Sequence, residues 1–148
     1  MPEYSDINVI AEKRDISTVK RFLDHFLPKR KETADSYELP QYSNKPEIIL
    51  NFDHEILSHC ESNKHTEYLI IWKASEENKI EYGTICYLKD EHVIYSLSTN
   101  AENVGYAKEL LGKLKAFLNS KHGYIGNEAS PEVNNYSEFL EQEKMHEP

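Results

Sequence analysis

Apolar and polar residues alternate through residues 66–98, and over residues 101–119 the spacing changes to that of a helix. In the first run Tyr68, Ile70 and Trp72 alternate with Leu69 and Ile71, so both faces are apolar, as a central strand requires. The polar links SEENK at 75–79 and KDE at 89–91 lead to two further runs, 80–88 and 92–98. Links this short join neighbouring antiparallel strands, which predicts a meander. Over 101–119, Val104, Ala107, Leu110, Leu111, Leu114, Phe117 and Leu118 form one stripe, with Lys108, Lys113 and Lys115 outside it. Gly123 follows where a C-cap glycine would sit.

The flanks add smaller elements. Ile7 and Val9 share a face of an opening strand at 6–12. Asp15 is placed to cap a helix over 15–27 that carries Ile16, Val19, Phe22, Leu23, Phe26 and Leu27 and stops at Pro28. Residues 29–40 read as an exposed connection, and 48–50 as a short strand. Asn51 or Asp53 would cap a helix over 53–61 that buries Phe52, Ile56, Leu57 and Cys60. After residue 119 the reading is an irregular loop, then a short helix at 137–143 docked by Phe139 and Leu140, then a frayed acidic end over 144–148. The predicted fold class is α+β. It is a single domain over 1–148, mainly an antiparallel sheet with its central meander at 66–98, flanked by amphipathic helices at 15–27, 53–61 and 101–119.

Charge narrows the partners. Asp and Glu number 26 against 17 Lys and Arg, a net charge of −9 over 148 residues. That balance opposes nucleic acid and anionic membranes and suits a basic protein. From residue 124 onward six glutamates face one lysine, Lys144. The longest apolar run, YLIIW at 68–72, is too short to span a bilayer, and the first residues lack a basic stretch followed by an apolar one, so the expected location is cytoplasmic. Cys60 and Cys86 lack CxxC spacing and read as small buried hydrophobes.

Chemical motifs are missing where they would be looked for. In HEILSHC the histidines His54 and His59 are five apart, which puts them about 140° out of phase on a helix, whereas HExxH needs a spacing of four. There is no GxGxxG, P-loop or GxSxG. The expectation is no catalysis, no metal, no cofactor and no small-molecule substrate. KRK at 29–31, followed by Glu32 and Asp35, reads as a solvated helix exit. Tyrosine is more telling, with ten in the chain. Tyr37 and Tyr42 lie beside Asp35 and Glu38, and Tyr124 and Tyr136 lie among late glutamates. Tyrosines interleaved with carboxylates suit an interface to a basic protein surface. The partner-binding residues predicted on that ground are Asp35, Tyr37, Glu38 and Tyr42, with Glu138 and Glu141 as a second group.

The segments FLDHFLPKR, SYELPQYSNKPEIIL, TICYLKDEHVIYSLST and LLGKLKAFL, followed by HGYIG and SEFLE, occur in an order and texture that resembles small bacterial immunity proteins. These accompany contact-dependent growth-inhibition and other polymorphic toxins. The resemblance implies a cytoplasmic protein that binds one cognate toxin domain, often a nuclease, and blocks its active site. An acidic adaptor or regulatory protein-binding module is the alternative, and a small enzyme a third reading.

Overall fold

The structure, a computed structural model, describes residues 4–127 and 133–146. In chain order its elements are β1 (Tyr4–Ala11), α1 (Ile16–Phe26), β2 (Arg30–Glu32), β3 (Tyr37–Leu39), β4 (Ile48–Leu50), α2 (Asp53–Ser62), β5 (Tyr68–Ala74), β6 (Ile80–Tyr87), β7 (Val93–Asn100), α3 (Val104–Leu118), β8 (Gly123–Asn127) and α4 (Tyr136–Met145). Six strands form one antiparallel sheet in the order β2-β5-β6-β7-β1-β8, and β3 pairs with β4 as a separate two-stranded sheet. The α+β class and the meander β5-β6-β7 are as the sequence predicts. β5, however, lies one strand in from an edge that is only three residues long.

The opening strand lies inside the sheet, next to the edge strand β8. β1 sits between β7 and β8, so Ile7 faces Leu97 on one side and Ile125 on the other. β8 corrects the sequence reading, which made this stretch a loop because its two glycines look like turn residues. Gly123 does not cap α3: that role falls to Asn119, whose φ of 51° is left-handed and whose N–H bonds to the carbonyls of Ala116 and Lys115. Gly123 instead lets β8 approach β1, since a Cβ there would meet the Asn8 carbonyl at 2.7 Å and Val9 Cγ2 at 2.8 Å.

One sheet face carries the main core. Ile7, Val9, Tyr68, Ile70, Trp72, Ile85, Tyr87, Val93, Tyr95 and Leu97 are buried there in one cluster with side chains of α1, α2 and α3, among them Phe22, Leu23, Ile56, Cys60, Leu110 and Leu114. The stripe expected on α3 thus packs inward, except Val104, which is 58% exposed at its first turn. On the opposite face Ile10, Leu88, Ile94 and Tyr124 pack with Val133 and Phe139. Polar residues share that face with Leu69 and Cys86: Ser96 Oγ donates to Asn8 Oδ1 and Ser98 Oγ to Asp6 Oδ1, each at 2.6 Å. α4 reaches Met145, so Lys144 and Met145, expected to fray, are helical, while 147–148 lie outside the described residues.

Polar side chains fix the helices. Asp15 caps α1 as expected, accepting the Thr18 N–H at 2.9 Å. Neither Asn51 nor Asp53 caps α2. Phe52 is its N-cap, and the Glu55 carboxylate accepts the N–H groups of Asn51 and Phe52 at 3.2 and 3.1 Å. Asp53 instead accepts the Trp72 indole N–H at 2.9 Å. Buried Arg14 gathers the far end of α2: its guanidinium donates to the carbonyls of Cys60, Asn63, Thr66 and Leu88 at 3.1–3.3 Å and lies 4.7 Å from the centre of the Tyr87 ring. α4 is held by Asp90, which accepts the Tyr136 N–H at 2.7 Å, and by Glu143, which accepts the Gly123 N–H at 2.7 Å.

Candidate partner-binding surface

Residues 33–52 leave the sheet edge and return to it, forming an arm. The chain lets go of β5 after Thr33, whose N–H and hydroxyl both donate to the Ile71 carbonyl at 3.3 and 2.8 Å. β3 and β4 then pair, with Tyr37 opposite Leu50, Glu38 opposite Ile49 and Leu39 opposite Ile48. The period of two sends alternate residues to opposite sides. Tyr37 and Leu39 go inward and are buried, while Ile49, the cross-strand partner of Glu38, is 60% exposed.

The return turn is tied down by side chains. Gln41 Nε2 donates to the Leu69 carbonyl at 2.8 Å, and the Leu69 N–H donates back to Gln41 Oε1 at 2.7 Å. A side-chain amide thus fills the place a neighbouring strand residue would take on β5. The next residue, Tyr42, has a φ of 64° and is 76% exposed, and its N–H donates to Glu38 Oε1 at 3.1 Å. Between the arm and the adjoining ends of β5 and β6 lies a recess of about 560 Å³ whose lining includes Tyr42, Glu47, Ile48, His59 and Leu69. Gln41, Tyr42 and Leu69 also border a smaller recess of about 250 Å³.

Among the described residues, six large hydrophobic side chains are exposed: Tyr42, Ile48, Ile49 and Phe52 on the arm, and Val104 and Met145 elsewhere. Four of them fall within eleven residues, on both sides of the β3–β4 hairpin: Ile49 beside Glu38, and Ile48 in the recess with Tyr42, whereas single exposed hydrophobics are ordinary. Carboxylates interleave with them at Asp35, Glu38 and Glu47.

The predicted site residues separate in the structure. Asp35 and Tyr42 are exposed and Glu38 is half-buried on the arm. Tyr37 is a correction: it is 2% exposed, and its hydroxyl donates to Glu32 Oε1 at 2.6 Å. Burial, reinforced by the Glu32 carboxylate, pushes its pKa far above the usual phenol range. It is a core residue because its alternation with Leu39 faces the sheet. Glu138 and Glu141 belong to α4, apart from the arm in the fold. Glu138 works for its own helix, accepting from Asn135 Nδ2 at 2.9 Å, and Glu141 is exposed. Tyr124 is buried in β8, where burial and then Asp6 raise its pKa to about 12, and Tyr136 stacks on His92 with ring centres 4.5 Å apart.

Sequence reasoning missed Gln41, Ile48, Ile49 and Phe52. Residues 48–50 read as a short strand, which β4 is, but with no sign that Ile48 and Ile49 stay exposed, and Phe52 read as a helix residue turned inward, yet it is 56% exposed and stacks on His54. The available signal was length, because three apolar residues between Pro46 and Asn51 are too few to cross a sheet.

Elsewhere, burial raises the Cys60 thiol to about 12 and the Cys86 thiol to about 11, which keeps both protonated near neutral pH. Among the described residues no three of His, Cys, Asp and Glu are grouped so as to hold a metal ion, and no helix is long and apolar enough to cross a membrane. Comparison with protein-family models, with curated proteins and with solved structures finds no match to this chain.

Proposed function

We propose that the protein is a cytoplasmic immunity protein without catalytic activity, which binds a cognate basic toxin domain one to one and covers its active site. The observation that carries this is the arm, where Tyr42, Ile48, Ile49 and Phe52 stand exposed among Asp35, Glu38 and Glu47. Exposed apolar side chains interleaved with carboxylates fit a protein partner whose own apolar surface is ringed by Lys and Arg, as a nuclease cleft would be. The net charge of −9 favours the same partner at longer range and speeds its approach at low salt. The resemblance in segment order to immunity proteins of contact-dependent growth-inhibition systems points the same way.

The test is co-expression with the toxin domain encoded beside this chain. Cells carrying the protein survive induction of the toxin and the two purify as a one-to-one complex. Death at the rate of cells without the protein refutes neutralisation and returns the arm to the adaptor reading.

A further inference from the structure

Tyr42 gains little from its own chain. Its φ of 64° lies in the left-handed region, which disfavours a bulky side chain, and the residue is 76% exposed. Glycine or asparagine would suit such a turn better. The surroundings nevertheless hold this conformation at several points: the Tyr42 N–H to Glu38 Oε1 at 3.1 Å, the paired bonds of Gln41 with Leu69 at 2.8 and 2.7 Å, and the Ser43 N–H to the Pro40 carbonyl at 3.3 Å. A strained backbone over-determined by its neighbours, carrying an exposed aromatic ring, is a contact set in place before binding, so less ordering is left to do on association.

We propose that Tyr42 is the anchor of the interface, that it receives an arginine of the partner protein on its ring face, and that Glu38 and Gln41 are its positioning residues. This rests on the protein-binding reading above. Arginine fits because the recess bordered by Tyr42 is also lined by Ile48 and Glu47. A planar guanidinium stacks on the ring, lays its methylene stem on the isoleucine and turns its N–H groups to a carboxylate. The recess also holds Glu67 and Lys89, but these lie 3.9 Å apart and offset each other. Glu38 thereby takes a role different from that of a free interface charge, since its oxygen is engaged in holding the turn.

The experiment titrates the isotope-labelled protein with the peptide acetyl-Gly-Arg-Gly-Arg-Gly-amide, and in parallel with its lysine counterpart, and follows chemical shifts. Changes centre on the Tyr42 ring and the amides of Glu38, Gln41 and Ser43, and the arginine peptide binds more tightly. Tyr42→Gly relieves the backbone and deletes the ring, so the urea midpoint holds or rises while peptide affinity falls about fivefold or more. Glu38→Ala weakens binding about threefold, and Glu38→Gln, which keeps an oxygen for the Tyr42 N–H, restores it. Shifts spread equally over Glu138 and Glu141, undiminished affinity in Tyr42→Gly, or a Glu38→Gln variant no better than Glu38→Ala would each overturn the proposal. Protection from the toxin without a peptide response at Tyr42 refutes the anchor alone. A response at Tyr42 without protection supports the anchor and refutes the toxin reading.

Discussion

Replacing Arg14 with methionine removes a fork that joins the start of α1, the end of α2 and the turn after β6. Two of its four carbonyl partners, on Cys60 and Leu88, are reached through buried bonds of 3.2 Å, and losing a partner for a buried carbonyl costs about 1–2 kcal/mol each. The bonds to Asn63 and Thr66 are part-buried, and water replaces them at a cost of a few tenths of a kcal/mol each. The cation over the Tyr87 ring adds about 1 kcal/mol. Against these stands the desolvation of the guanidinium, the largest influence on its pKa, which it lowers although Cys60, Tyr87, Glu91 and Asp90 pull the other way. Methionine recovers about 1 kcal/mol of that penalty. The net loss is about 2.5–5 kcal/mol, or roughly 7–15 °C in the midpoint of thermal unfolding. Trp72, the single tryptophan and fully buried, reports urea unfolding through its fluorescence. Arg14→Lys keeps the charge but not the fork, and it should lose most of the same energy. A methionine variant within about 0.5 kcal/mol of wild type, or a lysine variant equal to wild type, refutes the reasoning.

Four other outcomes follow from the packing. Leu114→Asp puts a carboxylate at a fully buried position of α3 and should cost at least about 3–4 kcal/mol, with unchanged thermal unfolding refuting the assignment. Gly123→Ala drives a methyl to 2.7 Å from the Asn8 carbonyl, so β8 must shift, and a loss of about 1–3 kcal/mol appears with weaker amide protection in β8. Tyr87→Phe leaves stability unchanged or raises it by up to about 1 kcal/mol, because the buried Tyr87 hydroxyl has no hydrogen-bond partner among the described residues. Burial alone would raise the Asp90 carboxyl, but N–H donation from Tyr136 and His92, together with the His92 ring, holds it below its ordinary value. A carboxyl depressed in this way stabilises the fold above its unfolded pKa of about 4 and loses that contribution as pH falls through the folded value. Acid titration should therefore loosen α4 only below about pH 4, seen in the Tyr136 ring signals, and Asp90→Asn should flatten that dependence.

Long periodic segments were legible in the sequence because burial repeats along them. α3 and the strands of the meander each carry several apolar residues in phase, so one misread residue, such as Val104, changes little. Short elements fared worse. β8 has two glycines in five residues, and only its pairing with β1 makes it a strand. Tyr37 and Tyr42 stand in equally polar local sequence, yet one is buried and the other presented to solvent, because the β3–β4 pairing turns Tyr37 inward while Tyr42 lies in the turn beyond that pairing. Phe52 was read as core from its place at a helix start. The N-cap position points it outward, while Asp53 takes the inward direction to reach Trp72.

The pairing of Gln41 with Leu69 has a consequence for how this surface can diversify. Because a side chain rather than a strand ties the turn to the sheet, the tip between Tyr42 and Ile48 takes no part in the ladder of β5. Its length and composition are free of the register that fixes the body. Residues 44–46 can therefore be exchanged, lengthened or shortened as a cassette, and the scaffold tolerates the graft as long as Gln41, the Ser43 bond to Pro40, the Glu47 bond to Leu39 and the strand ends are kept. A new partner preference is reachable in a few local steps, without redesign of the core.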